Sequence, residues 1–342
     1  MNTDFDVIVI GSGAGGLAAA VALAGAGQRV LVCEQHDVPG GWCHSFTLEG
    51  HTFSPGVHYV GELEPGQALR RMYEGLGVSR DLAFCELNPE GLDHVVVGDA
   101  RFDIPKGRER YLQRLKQRFP AEAPGVDRFF AVVQGLAADL RRVARLRGPL
   151  DLARLPQVAP TLMRWGWRTG GDLIARHVGD PLLRAILGSQ SGDHGLPPSR
   201  VPAVVHASIV HHYLDGGYYP LGGGFAIPRA FVRALKRAGG TIRLRTAVER
   251  ILLEGRRAVG VRLAGGEELR ADVVISNADP EMTFRRLIGR EHLPWRLRWR
   301  LGRVRYSCSA LSLFLATGMD LGAAGLDSGN TWYYEHADLD AI

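Results

Sequence analysis

Cysteine is scarce: the chain of 342 residues has 4, namely Cys33, Cys43, Cys85 and Cys308, with no C-x-x-C pair among them. This spacing excludes a zinc knuckle and a disulfide framework. Long apolar runs are also missing, and none approaches the roughly 20 residues that a membrane-spanning helix requires. Before its first apolar segment the chain carries Asp4 and Asp6 and no basic stretch, so no signal peptide is expected. The expected address is the cytoplasm, at most peripheral to a membrane. Neither sign of charge dominates, with 41 basic against 36 acidic residues and a net charge of +5. No RNA- or DNA-binding motif accompanies that excess, which predicts no nucleic-acid partner and suits a solvated surface or contact with anionic lipid. A G-x-S-x-G elbow, an H-E-x-x-H helix and a paired-carboxylate motif are absent too, so side chains alone offer no hydrolytic constellation.

Glycine, by contrast, is abundant at 44 residues, and one cluster of it organises the rest. Val7–Ile10 is a short β-branched run that suits a buried parallel strand. Gly11, Gly13 and Gly16 follow in G-x-G-x-x-G spacing, and Ala18–Ala24 then reads as a helix of small residues. In such a turn the first glycine lets the chain leave the strand, the second lets the backbone touch a pyrophosphate, and the third lets the helix pack close. A diphosphate then rests on free N–H groups at the positive end of the helix. Val30–Cys33 gives a second apolar strand ending in Glu34, about 20 residues beyond the glycines, where a carboxylate accepts hydrogen bonds from adenosine ribose hydroxyls. Together these features predict a dinucleotide-binding βαβ unit.

Glu34 is followed, after five residues, by Gly40-Gly41. This E-x-x-x-x-x-G-G continuation resembles the two-dinucleotide-binding-motif flavoproteins, the glutathione-reductase-like superfamily in which FAD lies along the first βαβ unit. Further stretches narrow the resemblance: Gly40-Gly41-Trp42-Cys43-His44-Ser45-Phe46, Phe53-Ser54-Pro55-Gly56-Val57-His58-Tyr59 and Gly217-Tyr218-Tyr219-Pro220-Leu221-Gly222-Gly223. With Val273-Val274-Ile275-Ser276-Asn277-Ala278, they are similar, in order through most of the chain, to the retinol saturase, carotenoid isomerase and phytoene desaturase family.

The resemblance implies an α/β fold, with a Rossmann-like FAD-binding domain built on a parallel sheet and interrupted by a helix-rich α+β substrate domain. Motif and resemblance place FAD on Gly11, Gly13, Ala14, Gly15, Gly16, Glu34, Gln35, Gly40, Gly41, Gly56, Val57, Val248 and Asn277. Val248 would hold the adenine edge through its backbone. Many relatives have Asp where this chain has Ser54, so Gly56 carries the assignment there. Relatives of this kind also run well beyond this length, and their last portion covers the flavin. The chain is therefore expected to be a fragment, a split gene product or a shortened variant.

A hydrophobic fraction of 46% over this length allows about two domains. The expected division is 1–90 with 215–280 for FAD, and 91–214 with 281–342 for a substrate or membrane face. Hairpins are predicted at 45–53 and 95–104, and helices at 67–76, 107–119, 127–146, 161–177, 202–213 and 230–237. Strands are predicted at 241–244, 248–253, 259–263, 306–316 and 331–334, and a buried one at 271–278. Trp165 and Trp167 lie among arginines, as do Trp295 and Trp299, a composition that fits either an ordinary surface or an interfacial patch on lipid. His206, His211 and His212 lack the acidic partner and spacing of a zinc site, so no metal is expected.

With no catalytic triad, the flavin would carry the electrons while the protein supplies orientation and exclusion of water. The resemblance implies saturation or desaturation of carbon–carbon bonds in a long apolar isoprenoid, carotenoid or retinoid-like substrate, with the electron partner left open. Non-redox cis–trans isomerisation of a polyene and a non-catalytic half that needs a partner are the alternatives. Candidate proton donors are His44, His58 and Tyr59, and Cys43 stands beside the glycine doublet.

Overall fold

The computed structural model describes residues 3–148, 151 and 153–341. The βαβ unit lies at its centre as β1 (Phe5–Ile10), α1 (Ala14–Gly25) and β2 (Val30–Cys33). Val7, Val9 and their neighbours pack towards α1, while Ile8 and Ile10 pack the opposite way, so both faces of β1 are covered. That double burial is why the run is continuously apolar rather than alternating.

Two hairpin strands follow, β3 (Phe46–Leu48) and β4 (His51–Phe53), and then β5 (Phe84–Glu86), β6 (Asp93–Val97) and β7 (Ala100–Ile104). After a helical region the chain returns through β8 (Tyr218–Pro220), β9 (Thr241–Arg243), β10 (Val248–Glu254), β11 (Arg257–Leu263) and β12 (Glu268–Ser276). The main sheet has the order β10-β11-β12-β1-β2-β9. β12, β1, β2 and β9 run parallel, with Val7 opposite Val30 on one side and Val273 on the other, and β10 and β11 add an antiparallel edge.

The helix Ala226–Arg237 packs beside α1 and buries Ile227, Ala230, Phe231, Ala234 and Leu235, a stripe at i, i+3, i+4, i+7 and i+8. It starts before the expected Ala230, because Pro228 in its first turn loses no intrahelical hydrogen bond.

A second core lies under the sheet β13-β6-β7, in which β13 (Asn330–Tyr334) pairs in parallel with β6. The helix Ala123–Val143 runs through it, and Val126, Phe129, Phe130, Val133 and Leu136 are all wholly buried. Full burial of each such side chain is worth about 1.5–3 kcal/mol. The two cores join where β5 pairs with β8, and Lys106 Nζ there meets Glu64, Glu86 and the Tyr218 hydroxyl.

Several expectations are corrected. Residues 306–316 form no strand: β13 takes the β6 edge, and Leu311, Leu313 and Leu315 are left exposed without a ladder partner. Residues 161–177 are two helices, Pro160–Trp165 and Gly170–His177, separated where Thr169 and Asp172 form a capping box. Trp165 is buried rather than interfacial, with the Arg164 and Arg168 guanidiniums over its ring at 5.9 and 5.4 Å. His206, on the helix Ala203–Tyr213, is wholly buried. The strand at 271–276 is not buried throughout, since Val273 is 49% exposed. The segment Met282–Gly289, expected with the substrate domain, packs on β10 and contributes Leu287 to the main-sheet core.

Candidate cofactor site

The glycine turn is held from beneath by one carboxylate. Glu34 Oε2 accepts from the Ser12 N–H at 2.8 Å and from the Ser12 hydroxyl at 2.5 Å, and Oε1 accepts from the His36 N–H at 2.9 Å. The Ser12 oxygen in turn accepts from the Gly40 N–H at 3.2 Å. Ser12 and Glu34 are both buried. A carboxylate offers about four lone-pair directions, so Glu34 clamps the turn and keeps one direction for a further donor.

Gly11, with φ of +89°, leaves β1 through backbone angles that side chains disfavour, and its N–H donates to the Cys33 carbonyl at 2.8 Å. A Cβ on Gly16 would lie 2.2 Å from the Gly11 carbonyl oxygen, so only glycine lets α1 begin this close to β1. The first intrahelical bond runs from Leu17 to Gly13, leaving the N–H groups of Ala14, Gly15 and Gly16 without an acceptor among the described residues. Ala14 and Gly15 are open to solvent. Orphan amides at the positive end of a helix fit a diphosphate.

Gly40 and Gly41 close over this turn. Gly13 forms a parallel bridge with Gly40, and a Cβ on Gly41 would stand 3.2 Å from the Gly13 Cα. Asn277, carried in by β12 with its N–H on the Ile10 carbonyl at 2.8 Å, lays its carboxamide across the turn. Cβ atoms on Gly13 and Gly15 would meet that carboxamide at 2.8 and 2.7 Å. Asn277 is solvent-exposed, so its side chain is free to turn aside for a ligand. The residues present therefore fit an FAD diphosphate.

Val248 opens β10 near the far side of Glu34, since Thr246 N–H donates to the Glu34 carbonyl at 2.7 Å and Arg245 N–H to that of His36 at 2.9 Å. Gln35 lies exposed beside them. Gly56 backs onto Trp42, where a Cβ would meet the Trp42 carbonyl at 2.4 Å, and Val57 lies against Gly224. Ser54 accepts from the Gly224 N–H at 2.9 Å, and Ser45 accepts from Phe225 at 3.2 Å. These hydroxyls serve the start of the Ala226–Arg237 helix.

The candidate proton donors differ in placement. His44 donates its Nδ1–H to the Gly41 carbonyl at 2.6 Å, which in a neutral ring leaves Nε2 as the acceptor. His58 faces solvent. Tyr59 turns inward, buried, with its hydroxyl between two aspartates. Burial raises the Cys43 thiol above its ordinary pKa and holds Cys33 up at about 11, away from the reactive thiolate. Sequence reasoning missed Ser12, whose only signal was its place inside the glycine motif, and Asp93 and Asp193, which carried no local signal.

Residues 14–283 match the family model described as flavin containing amine oxidoreductase. The chain is 32% identical to an all-trans-retinol 13,14-reductase of Danio rerio, over 99% of this chain and 58% of that protein. It is 34% identical to a phytoene desaturase (neurosporene-forming) of Cereibacter sphaeroides, over 90% of this chain and 59% of that one. An oxidoreductase from Methanosarcina mazei superposes with a TM-score of 0.64 at 22% identity, covering 87% of this chain and 65% of the other. The chain thus spans somewhat under two thirds of the length of the curated relatives it matches.

Proposed function

Because the chain belongs to the flavin containing amine oxidoreductase family, we propose that it is an FAD-dependent oxidoreductase acting on carbon–carbon bonds of a long apolar isoprenoid, carotenoid or retinoid-like substrate. The cofactor is FAD. The observation that carries the reading is the set of unpaired N–H groups at Ala14–Gly16, walled by Gly13, Gly40 and Gly41 and clamped by Glu34. Similarity to a retinol reductase and a phytoene desaturase supports the substrate class.

When bound, FAD supplies the ring that takes up or gives out electrons. The chain does the rest. Ala14–Gly16 amides would hold the diphosphate, Glu34 would accept from one ribose hydroxyl, and the backbone of Val248 would border the adenine. In this reading 1–90 and 215–280 carry the cofactor together with Met282–Gly289, and the remainder faces the substrate. Gly56 and Val57 approach the redox end, with His44 and His58 as proton-carrying groups near it. The test is purification with FAD followed by product mass: yellow protein and a change of two hydrogens support the reading. Colourless protein that refuses FAD overturns it, and an unchanged product mass favours polyene isomerisation instead.

A second reading, a flavin-binding unit that needs further polypeptide for turnover, is favoured by the exposed leucines of 306–316, with Leu311, Leu313 and Leu315 at 101%, 80% and 76%. FAD binding without turnover by the isolated chain would support it. Peripheral lipid contact also belongs to the proposal. No helix among the described residues is long and apolar enough to cross a membrane. Trp295 and Trp299 are exposed on the helix Trp295–Leu301 among Arg296, Arg298 and Arg300, which suits indoles at headgroup depth and arginines on phosphates.

A further inference from the structure

Residues 304–318, between the helix Trp295–Leu301 and β13, adopt no regular structure, and no main-chain group of 305–316 bonds to another main-chain group among the described residues. Side chains hold the stretch instead. The Tyr306 hydroxyl lies 2.9 and 3.0 Å from the two carboxylate oxygens of Asp279, the Cys308 thiol donates to the Gly195 carbonyl at 3.1 Å, and Phe314 stands edge-on to Phe46 with ring centroids 5.0 Å apart.

The first of these contacts leads to the cofactor turn. Asp279 is two residues past Asn277, whose carboxamide lies across Gly13 and Gly15. The backbone between them backs onto the same turn, since the Asn277 carbonyl oxygen and the Ala278 nitrogen stand 3.8 and 3.9 Å from where a Cβ on Gly11 would be. Asp279 also shapes this loop: its Oδ1 accepts from the Glu281 N–H at 2.8 Å and the Met282 N–H at 3.3 Å, and its carbonyl accepts from the Thr283 N–H at 2.8 Å. The Ser276 and Thr283 hydroxyls close the loop at 2.7 Å. Among the described residues, Tyr306 is the one partner that the Asp279 side chain takes from outside its own loop.

We propose that Tyr306 is a positioning residue for FAD: through Asp279 it fixes the loop that sets Asn277 over the Ala14–Gly16 amides, so that cofactor binding and the docking of residues 303–316 are coupled. The proposal rests on FAD as the cofactor and on no reaction at its ring.

A carboxylate only accepts, so Tyr306 donates its single hydrogen to Asp279 in a charge-assisted bond. The Asn277 carboxamide stands in the approach to the turn and swings aside as a diphosphate enters. During that swing the loop is held by the Asn277 N–H on the Ile10 carbonyl at one end and by Asp279 at the other. Without Tyr306 the Asp279 end is free, and the cost of ordering it falls on FAD binding. The converse holds by linkage: FAD that orders the loop presents Asp279 to Tyr306 and holds down a segment that has no ladder partner, with the same factor in both directions.

Tyr306 is 60% exposed, so Tyr306→Phe removes the donor without opening a cavity, and the unfolding temperature should stay at the wild-type value. The test uses the full chain, with and without FAD. Arg303 and Arg305 are exposed and offer trypsin sites just before Tyr306. Cleavage there follows the population in which the segment is undocked, and FAD should slow it about fivefold in the wild type.

Tyr306→Phe should raise the FAD Kd about fivefold by flavin fluorescence and abolish the protection by FAD, whereas Tyr333→Phe, an exposed tyrosine on β13, should change neither. Asp279→Ala combined with Tyr306→Phe should bind FAD no more weakly than Asp279→Ala alone, because one residue acts through the other. Multiplying effects in the double variant, wild-type FAD affinity in Tyr306→Phe, or equal trypsin cleavage with and without FAD in the wild type each overturn the proposal. Wild-type protein that takes up no FAD marks failure of the cofactor assignment itself and overturns the coupling with it.

Discussion

Ser12 donates to Glu34 twice, through its backbone N–H at 2.8 Å and its hydroxyl at 2.5 Å, and both bonds end on Oε2. The acid that the dinucleotide motif assigns to a ribose therefore also fixes the turn that receives the diphosphate. Glu34→Gln keeps the shape of the side chain but leaves only one carbonyl-type oxygen for donors arriving at both ends. One buried donor then loses its acceptor, at a cost of about 1–3 kcal/mol. We expect thermal unfolding several degrees lower and FAD affinity reduced at least about tenfold, read by fluorescence titration of the flavin. Ser12→Ala should have a smaller effect in the same direction, because Glu34 keeps the Ser12 N–H.

Gly16 gives a steric prediction. Its missing Cβ would sit 2.2 Å from the Gly11 carbonyl oxygen, a backbone atom that cannot swing away as a side chain would. Gly16→Ala must push α1 off β1 and displace the orphan amides of Ala14 and Gly15. Overpacking of this kind costs about 1–3 kcal/mol, and FAD binding should be lost before folding is. Gly25→Ala, at the other end of α1 with open space around it, should leave both properties unchanged or raise stability slightly. Circular dichroism melts and flavin titration of the two variants separate a local from a general effect.

Much of the frame was legible because its signals are local. The apolar runs of β1 and β2, the glycine spacing and the acid at Glu34 each declare themselves within a few residues, and the structure assembles them in that order. Alternation at 306–316 is equally local, yet it records only which side chains would share a face. A strand also needs a ladder partner, and β13 holds the β6 edge. Trp165 beside arginines read as surface composition, but the two guanidiniums cover a ring that the helices bury. Least legible was the setting of Tyr59, whose links to Asp93 and Asp193 span 34 and 134 positions. No spacing rule reaches that far.

The Trp295–Leu301 helix predicts a lipid dependence. Trp295 and Trp299, one helical turn apart, are 65% and 54% exposed, and the Arg303 guanidinium stands 3.6 Å from the Trp299 ring centroid. Trp295→Ala with Trp299→Ala should reduce co-sedimentation with vesicles containing anionic phosphatidylserine, and leave the unfolding temperature within a degree or two, because neither indole is part of a core. Wild-type binding should weaken on neutral phosphatidylcholine vesicles and with added salt, since the arginine contribution is screened. Equal sedimentation of wild type and double variant would remove the interfacial role.

His94 supplies the clearest pH dependence. Its Nδ1 lies 2.6 Å from Asp103 and 2.8 Å from Arg101 Nη2, and its Nε2 lies 2.9 Å from Asp327, so the two carboxylates favour the imidazolium while the guanidinium beside Nδ1 opposes it. Burial alone would lower its pKa; the bonds to Asp327 and Asp103 outweigh that and raise it, while Asp327 is held at about 2, chiefly by the His94 bond. A raised histidine contributes stability that is full below its unfolded value of about 6.5 and is lost as pH rises through the folded value. A depressed aspartate contributes above its unfolded value of about 3.9, and that contribution disappears as pH falls towards 2. The tie between β6 and the loop at Asp327 should therefore be strongest between about pH 4 and 6.5. His94→Gln should lower the urea midpoint most near pH 5 and progressively less towards pH 9, where the wild-type ring has itself lost its charge. A midpoint difference that is flat from pH 5 to 9 would mean that the imidazole acts by packing against Gly91 and Gly329 rather than by charge.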